Sequence, residues 1–122
     1  MHDHPPRDIR IERPAADTAV VVFHGEHDIA SKKELRTLLE SLVEENALVV
    51  ADFTDATFVD STTIHLLLGA HAAAQVRGKT FRVQLGTATI VRTAFELTGV
   101  LNRVECASSR EEALRREPVA RS

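Results

Sequence analysis

The stretch that decides the fold is residues 48–85, LVVADFTDATFVDSTTIHLLLGAHAAAQVRGKTFRVQL. Residues 48–53 are mostly apolar and predict a buried strand, which is followed by a short extended piece at 58–59. Apolar residues at helical spacing then predict a helix over 61–76 that ends at a basic residue and a glycine. Alternating apolar residues in 81–85 predict another strand. Strand, helix and strand in this order are typical of two parallel strands joined by a crossover helix.

The same alternation extends from this stretch in both directions. Upstream, Ile9 and Ile11 alternate with polar residues and predict a half-buried strand, and the apolar run 19–23 predicts a buried one. Ser31 with Glu34 has the pattern of a capping box at the start of a helix. The other predicted elements are a loop at 25–28, a short helix over 90–97, a strand within 100–106, and a final helix capped by Ser108 and stopped by Pro118. This order predicts an α/β fold with a largely parallel sheet.

Length and composition indicate one soluble globular domain. The 122 residues suffice for one modest core, and 43% apolar with 27% charged residues is ordinary for a folded protein. We expect a flexible N-terminal tail at 1–7, a single domain over 8–117 and a C-terminal tail at 118–122. The net charge of −3 and the lack of a basic stripe argue against nucleic acid as a partner.

The cysteine count and the distribution of apolar segments indicate the cellular location and the possible covalent cross-links. Cys106 is the only cysteine, which excludes an internal disulfide and a cysteine-rich zinc site. The N-terminus has no apolar segment of the signal-peptide type, and no run approaches the roughly 18 apolar residues of a membrane span. We therefore expect a cytoplasmic protein that does not bind membranes. The pattern is compatible with a monomer or a weak homodimer.

Polar residues converge at one edge of the predicted sheet. If the strands at 19–24, 48–53 and 80–85 are parallel, their carboxyl ends lie along one edge, where partners and ligands of open α/β sheets usually bind. The connections that follow these strands then share that edge. The residues that this geometry makes neighbours are Asp28, Asp60, Ser61, Thr62 and Thr87.

Ser61 follows Asp60 at the predicted start of a helix. The first N–H groups of a helix have no partner within it, and the helix dipole is positive there, so a phosphate on this hydroxyl would be stabilised. It would add a charge of about −1.5 to −2 beside Asp60, which a partner surface would sense. The alternative is that Asp60 or Ser61 simply caps the helix, and position alone favours this simpler interpretation.

Enzymatic and metal chemistry lack a supporting pattern. No nucleophile–histidine–acid spacing and no glycine-rich nucleotide loop occurs, so we expect neither catalytic residues nor a cofactor. His24, His27, His65 and His71 are the histidines of the domain. His65 and His71 are six residues apart on one helix and face different directions, so we expect no metal site.

Four segments resemble motifs of the STAS domain family. VVFHGEHD at 21–28 resembles the strand and "G-E-[apolar]-D" motif, and FVDSTTI at 58–64 resembles "F-[ILV]-D-S-[ST]-G-[apolar]". AFELTGV at 94–100 and EEAL at 111–114 resemble two later motifs of the family. The four occur in the family's order and spacing over roughly 8–115. The resemblance implies a STAS-like mixed sheet, mostly parallel with an antiparallel first strand at its edge, flanked by about four helices.

The resemblance also implies an anti-sigma factor antagonist that works by partner switching. Such a protein binds an anti-sigma factor with serine kinase activity and so regulates sigma-factor-dependent transcription, typically in a bacterial stress response. The kinase phosphorylates the serine after the aspartate, here Ser61, with Thr62 as an alternate acceptor, and a PP2C-type phosphatase reverses the reaction. The residues expected to bind the partner are Glu26, His27, Asp28, Asp60, Ser61, Thr62, Thr63 and Thr87.

Two residues depart from the family's motifs. Thr63 stands where the family has glycine, and we expect its side chain to add bulk where a kinase backbone approaches. His27 stands where an apolar residue is usual. These departures keep a second interpretation open, in which the chain is a non-phosphorylated STAS scaffold or sensor that binds a protein or a small ligand.

Overall fold

A computed structural model describes residues 9–27 and 32–118. Its strands are β1 (Ile9–Ala15), β2 (Thr18–Phe23), β3 (Gly25–His27), β4 (Leu48–Asp52), β5 (Ala56–Val59), β6 (Thr80–Gln84) and β7 (Glu105–Ala107). Its helices are α1 (Lys32–Glu45), α2 (Ser61–Val76), α3 (Thr89–Leu97), α4 (Arg110–Ala113) and a 3-10 turn (Val100–Asn102). The predicted tails at 1–7 and 118–122, apart from Pro118, and the predicted cap Ser31 lie outside the described residues.

The main sheet has five strands in the order β1-β2-β4-β6-β7. β1 runs antiparallel to β2, and the pairs β2–β4, β4–β6 and β6–β7 are parallel. The mixed, mostly parallel sheet with an antiparallel edge strand and four helices is therefore confirmed. Within the described residues, no helix is both long enough and apolar enough to cross a membrane.

One face of the sheet carries the main apolar core. Its strand residues alternate in register, with Val21, Val49, Ala51 and Val83 all at most 1% exposed. α1 and α2 pack on this face because each has an apolar stripe at helical spacing. The buried residues of these stripes are Leu35, Leu39, Leu42 and Val43 of α1, and Ile64, Leu67, Ala70 and Ala74 of α2.

The opposite face has a smaller apolar cluster and a network of buried polar contacts. Arg82 of β6 is 2% exposed, and its Nε donates to Glu105 Oε1 at 2.6 Å. Its other nitrogens donate to the backbone carbonyls of Ala113, Arg115 and Glu117. Arg82 therefore holds the C-terminal segment against the sheet.

Three predicted elements differ in the structure. Residues 25–27, predicted as loop, form β3 because they pair with β5, which is distant in sequence. The predicted last strand is replaced over 100–102 by a 3-10 turn, and only 105–107 are extended.

The final helix is also shorter than predicted and begins one residue later. Ser109, rather than Ser108, is its cap, and its Oγ accepts a hydrogen bond from the Glu112 N–H at 3.1 Å. The Glu112 carboxylate accepts in return from the Ser108 N–H at 2.9 Å. Ser109 and Glu112 therefore close the first turn of the helix, and its cap lies one position later than predicted. The helix ends at Ala113, well before Pro118.

Candidate partner-binding site

A small two-stranded sheet forms at the carboxyl edge of the main sheet. Its strands β3 and β5 are parallel, and His27 pairs with Val59, the residue before Asp60. Gly25 has φ +67°, a left-handed conformation that glycine adopts without strain, and its N–H donates to the Asp55 carbonyl at 3.1 Å. The chain therefore turns sharply out of β2 and runs alongside the segment that enters α2.

Asp60 is the N-cap of α2. Its backbone is extended, with φ −94° and ψ 166°, and its Oδ1 accepts a hydrogen bond from the Thr63 N–H at 2.8 Å. Its Oδ2 lies 3.4 Å from Nζ of Lys32, the first residue of α1. Both carboxylate oxygens are thus engaged, one within α2 and one with the neighbouring helix.

The electrostatic surroundings keep Asp60 ionised. Burial raises the pKa of its carboxyl group, but the hydrogen bond from the Thr63 N–H and the positive charge of Lys32 outweigh burial. The pKa of Asp60 is therefore below its usual value of 3.8. At neutral pH the cap is a carboxylate, which is the form that the helix N-terminus favours.

The three residues after Asp60 differ in exposure. Ser61, the first residue of α2, is exposed, and Thr62 is half-buried. Thr63 is 0% exposed, and its hydroxyl has no hydrogen-bond partner among the described residues. The expectation that the Thr63 side chain adds bulk at the surface is therefore wrong, because this side chain points into the protein.

The loop between β6 and α3 lies at the same edge. Gly86 packs so closely on the loop after β4 that a Cβ would lie 2.9 Å from Cα of Thr54. Arg92 of α3 donates to the Gly86 carbonyl at 3.1 Å and so ties the loop to its helix. Thr87 follows in this loop and is exposed. The carboxyl ends of β2, β4 and β6 therefore lie at one edge of the sheet, as the sequence pattern predicted.

The structure describes some of the predicted binding residues but not all of them. Glu26 and His27 lie in β3 and pair through the backbone with β5, whereas Asp28 lies outside the described residues. Sequence reasoning missed Lys32, because its proximity to Asp60 arises from the packing of α1 against α2. The only sequence signal was its place at the start of a predicted helix.

His24 and Cys106 both make contacts within the fold. Over 9–27 and 32–118, no group of three or more histidine, cysteine or acidic residues could hold a metal ion. His24, instead, lies with Nε2 2.9 Å from Nη1 of Arg10 and Nδ1 3.8 Å from Asp55. Burial raises the pKa of the Cys106 thiol to about 11, so it is protonated at neutral pH.

Comparison with known proteins gives a family match and a shared fold. The family model of the STAS domain matches residues 10–113. The structure of an anti-sigma factor antagonist from Mycobacterium paratuberculosis is similar with a TM-score of 0.75 and 22% identity, over 91% of this chain and 96% of that chain. No curated protein matches the sequence.

Two structures of SpoIIAA are also similar. The anti-sigma factor antagonist SpoIIAA in its unphosphorylated form has a TM-score of 0.75 and 20% identity, over 87% of this chain and 92% of that chain. The Bacillus cell fate determinant SpoIIAA in its phosphorylated form has a TM-score of 0.67 and 20% identity, over 87% of this chain and 96% of that one. At these identities the likeness establishes the fold.

Proposed function

We propose that this chain, which belongs to the STAS domain family, is an anti-sigma factor antagonist. It binds an anti-sigma factor that is also a serine kinase, and phosphorylation of Ser61 ends the complex. A PP2C-type phosphatase restores the serine. The chain itself is a binding protein rather than an enzyme. The observation that carries the proposal is an exposed serine at the N-terminus of α2, directly after a capping aspartate.

The position of Ser61 suits a reversible modification. Its exposed hydroxyl is accessible to a kinase, and Asp60 already satisfies the Thr63 N–H, so the helix start does not depend on Ser61. A phosphate would accept hydrogen bonds from other free N–H groups of the first turn, so α2 would tolerate it. The domain therefore remains folded when its surface charge changes.

The change in charge is well placed to end a complex. About −1.5 to −2 units would be added next to the ionised Asp60. A partner surface with an acidic group against Ser61 would then face two adjacent anions, and like charges in contact cost several kcal/mol. Ser61, β3 and Thr87 lie at one edge of the fold, so a partner of ordinary size that covers Ser61 would also contact its neighbours.

A phosphorylation assay tests the proposal directly. The chain is incubated with ATP and each histidine-kinase-like serine kinase encoded in the same genome, and the modified residue is mapped by mass spectrometry. We expect one phosphate on Ser61 in the wild type and none on Ser61→Ala. Thr62→Val is the matched control, because it removes the neighbouring hydroxyl and should leave the label intact. Full labelling of Ser61→Ala would remove Ser61 from the mechanism.

The scaffold or sensor interpretation predicts a different result in a binding assay. A kinase that binds the wild type is titrated with chain carrying phosphoserine at position 61. An antagonist controlled by Ser61 loses at least tenfold in affinity, equivalent to about 1.4 kcal/mol. Unchanged affinity would favour a non-phosphorylated scaffold that uses the same edge.

A further inference from the structure

An ion pair joins the N-termini of two helices beside the proposed phosphorylation site. Lys32 is the first residue of α1, and its Nζ lies 3.4 Å from Oδ2 of Asp60, the cap of α2. The Lys32 side chain is only 14% exposed, although lysine at a helix end usually extends into water. This ion pair is therefore part of how α1 and α2 pack.

A lysine in the first turn of a helix is electrostatically unfavourable. The dipole of α1 is positive at this end, so it disfavours a cation there. The start of α2 also has its positive end close to Asp60. Asp60 therefore lies beside both the positive end of α2 and the ammonium group of Lys32.

A phosphate on the residue after Asp60 would be a second anion close to this ammonium group. Ammonium has three N–H donors, and Asp60 Oδ2 requires one of them. The exposed Ser61 follows Asp60 directly, and the flexible four-carbon stem of lysine allows its head to reach a neighbouring anion.

We propose that Lys32 is a positioning residue that binds the phosphate of modified Ser61 while it remains beside Asp60. The inference rests on the proposed function only in taking Ser61 as the acceptor. Lys32 would neutralise part of the new charge, keep Asp60 in place as the cap, and hold α1 to α2 in the phosphorylated state. The partner would then encounter a fixed anion rather than a mobile one.

The test uses phosphoserine incorporated genetically at position 61, so no kinase is needed. The second ionisation of the phosphate is titrated by ³¹P NMR in the chain with Lys32 and in Lys32→Gln. A cation within about 4–6 Å favours the dianion, so we expect the phosphate pKa to be about one unit higher in Lys32→Gln. Lys33→Gln, a change of the exposed neighbour on the same helix, should leave it unaltered. Lys32→Arg should restore the low value.

Two further measurements separate this role from a purely structural one. His65 lies one turn beyond Ser61 on α2, so its ring protons are followed in the same samples as an independent probe of this end of the helix. In ¹⁵N-lysine-labelled chain, the Lys32 ammonium resonance should shift when serine is replaced by phosphoserine, which needs no lysine variant. Identical phosphate titrations in the Lys32 and Lys32→Gln chains, or an unshifted ammonium resonance, would overturn the inference.

Its failure is distinguishable from failure of the proposed function. If the kinases leave Ser61 unmodified but the phosphoserine titration depends on Lys32, the proposed function fails and the binding role of Lys32 stands. If Ser61 is phosphorylated and its titration is independent of Lys32, only the present inference fails.

Discussion

On one face of the five-stranded sheet, the ring of Phe53 stacks on that of Phe23 with centroids 4.3 Å apart and meets Phe95 edge-on at 5.1 Å. On the other face, Arg82 is buried among carbonyl groups and a carboxylate, and Arg110 bridges Glu12 and Asp52. The first face is covered by α1 and α2, and the second by the four-residue α4 and the segment after it.

The difference between these faces shows how a short C-terminal segment stays attached. A four-residue helix has no stability of its own in water, so α4 depends on tertiary contacts. Arg82 supplies some of them through backbone carbonyls, which every residue carries, and the buried Ala113 adds apolar contacts with the sheet. The apolar face should therefore respond mainly to lost volume, and the polar face to lost partners and to pH.

The largest expected effect is on the apolar face. Phe53→Ala removes a ring that is 0% exposed and leaves a cavity between Phe23 and Phe95, so we expect a loss of about 3–5 kcal/mol in the free energy of unfolding. Urea denaturation followed by circular dichroism measures it. Ile90→Ala, at a side chain that is 62% exposed, should change stability by no more than about 0.5 kcal/mol. A loss below about 2 kcal/mol at Phe53 would show that this face is not the dominant core.

The second expected effect is on the polar face. Arg82→Met keeps much of the apolar volume but removes the ion-pair partner of Glu105 and the donor to three backbone carbonyls, which should cost about 2–4 kcal/mol. Hydrogen exchange should show the amides of 110–117 losing protection before the rest of the chain. Arg103→Met, at an exposed arginine, is the matched control. Uniform loss of protection across the chain would refute the idea of a separately held C-terminal segment.

The smallest expected effect is a dependence of stability on pH that only the polar face should show. The hydrogen bond from Arg110 lowers the pKa of Glu12 below 4.5 against the opposing effect of burial, with Arg10 adding to the decrease. The folded state thus favours the carboxylate. The contribution of ionised Glu12 to the free energy of unfolding is therefore present above the unfolded pKa and is lost as pH falls through the folded pKa.

Glu12→Gln tests this sign. The urea midpoint of the variant should be lower than that of the wild type at about pH 6, and the gap should close by about pH 2.5. The gap caused by Phe53→Ala should stay nearly constant over the same range. A Glu12→Gln gap that widens on acidification would contradict the assigned direction of the pKa shift.

Much of the architecture could be predicted from the sequence. The apolar runs at 19–23 and 48–53 and the helical pattern over 61–76 identify elements whose burial is set by composition and periodicity. Of the candidate site, the junction at Asp60-Ser61 was predictable, because a strand end and a helix start meet there. The cap of the final helix was predicted at Ser108, and the structure places it one residue later at Ser109.

Other features depend on contacts between residues far apart in the chain. β3 forms because residues 25–27 find a parallel partner in β5, which no local propensity indicates. The Thr63 side chain turns inward because of its angular position on α2, although its place in the motif suggested the surface.

The sequence by itself determined the fold class, the family and the position of Ser61 at a strand-to-helix junction. These follow from local periodicity and short motifs, whose physical basis lies within a few residues. Only the tertiary structure decided that Lys32 meets Asp60, that Thr63 is buried, and that Arg82 holds the C-terminal segment. Such contacts depend on how the helices and the C-terminal segment pack on the sheet, because this packing brings together residues that are far apart in the sequence.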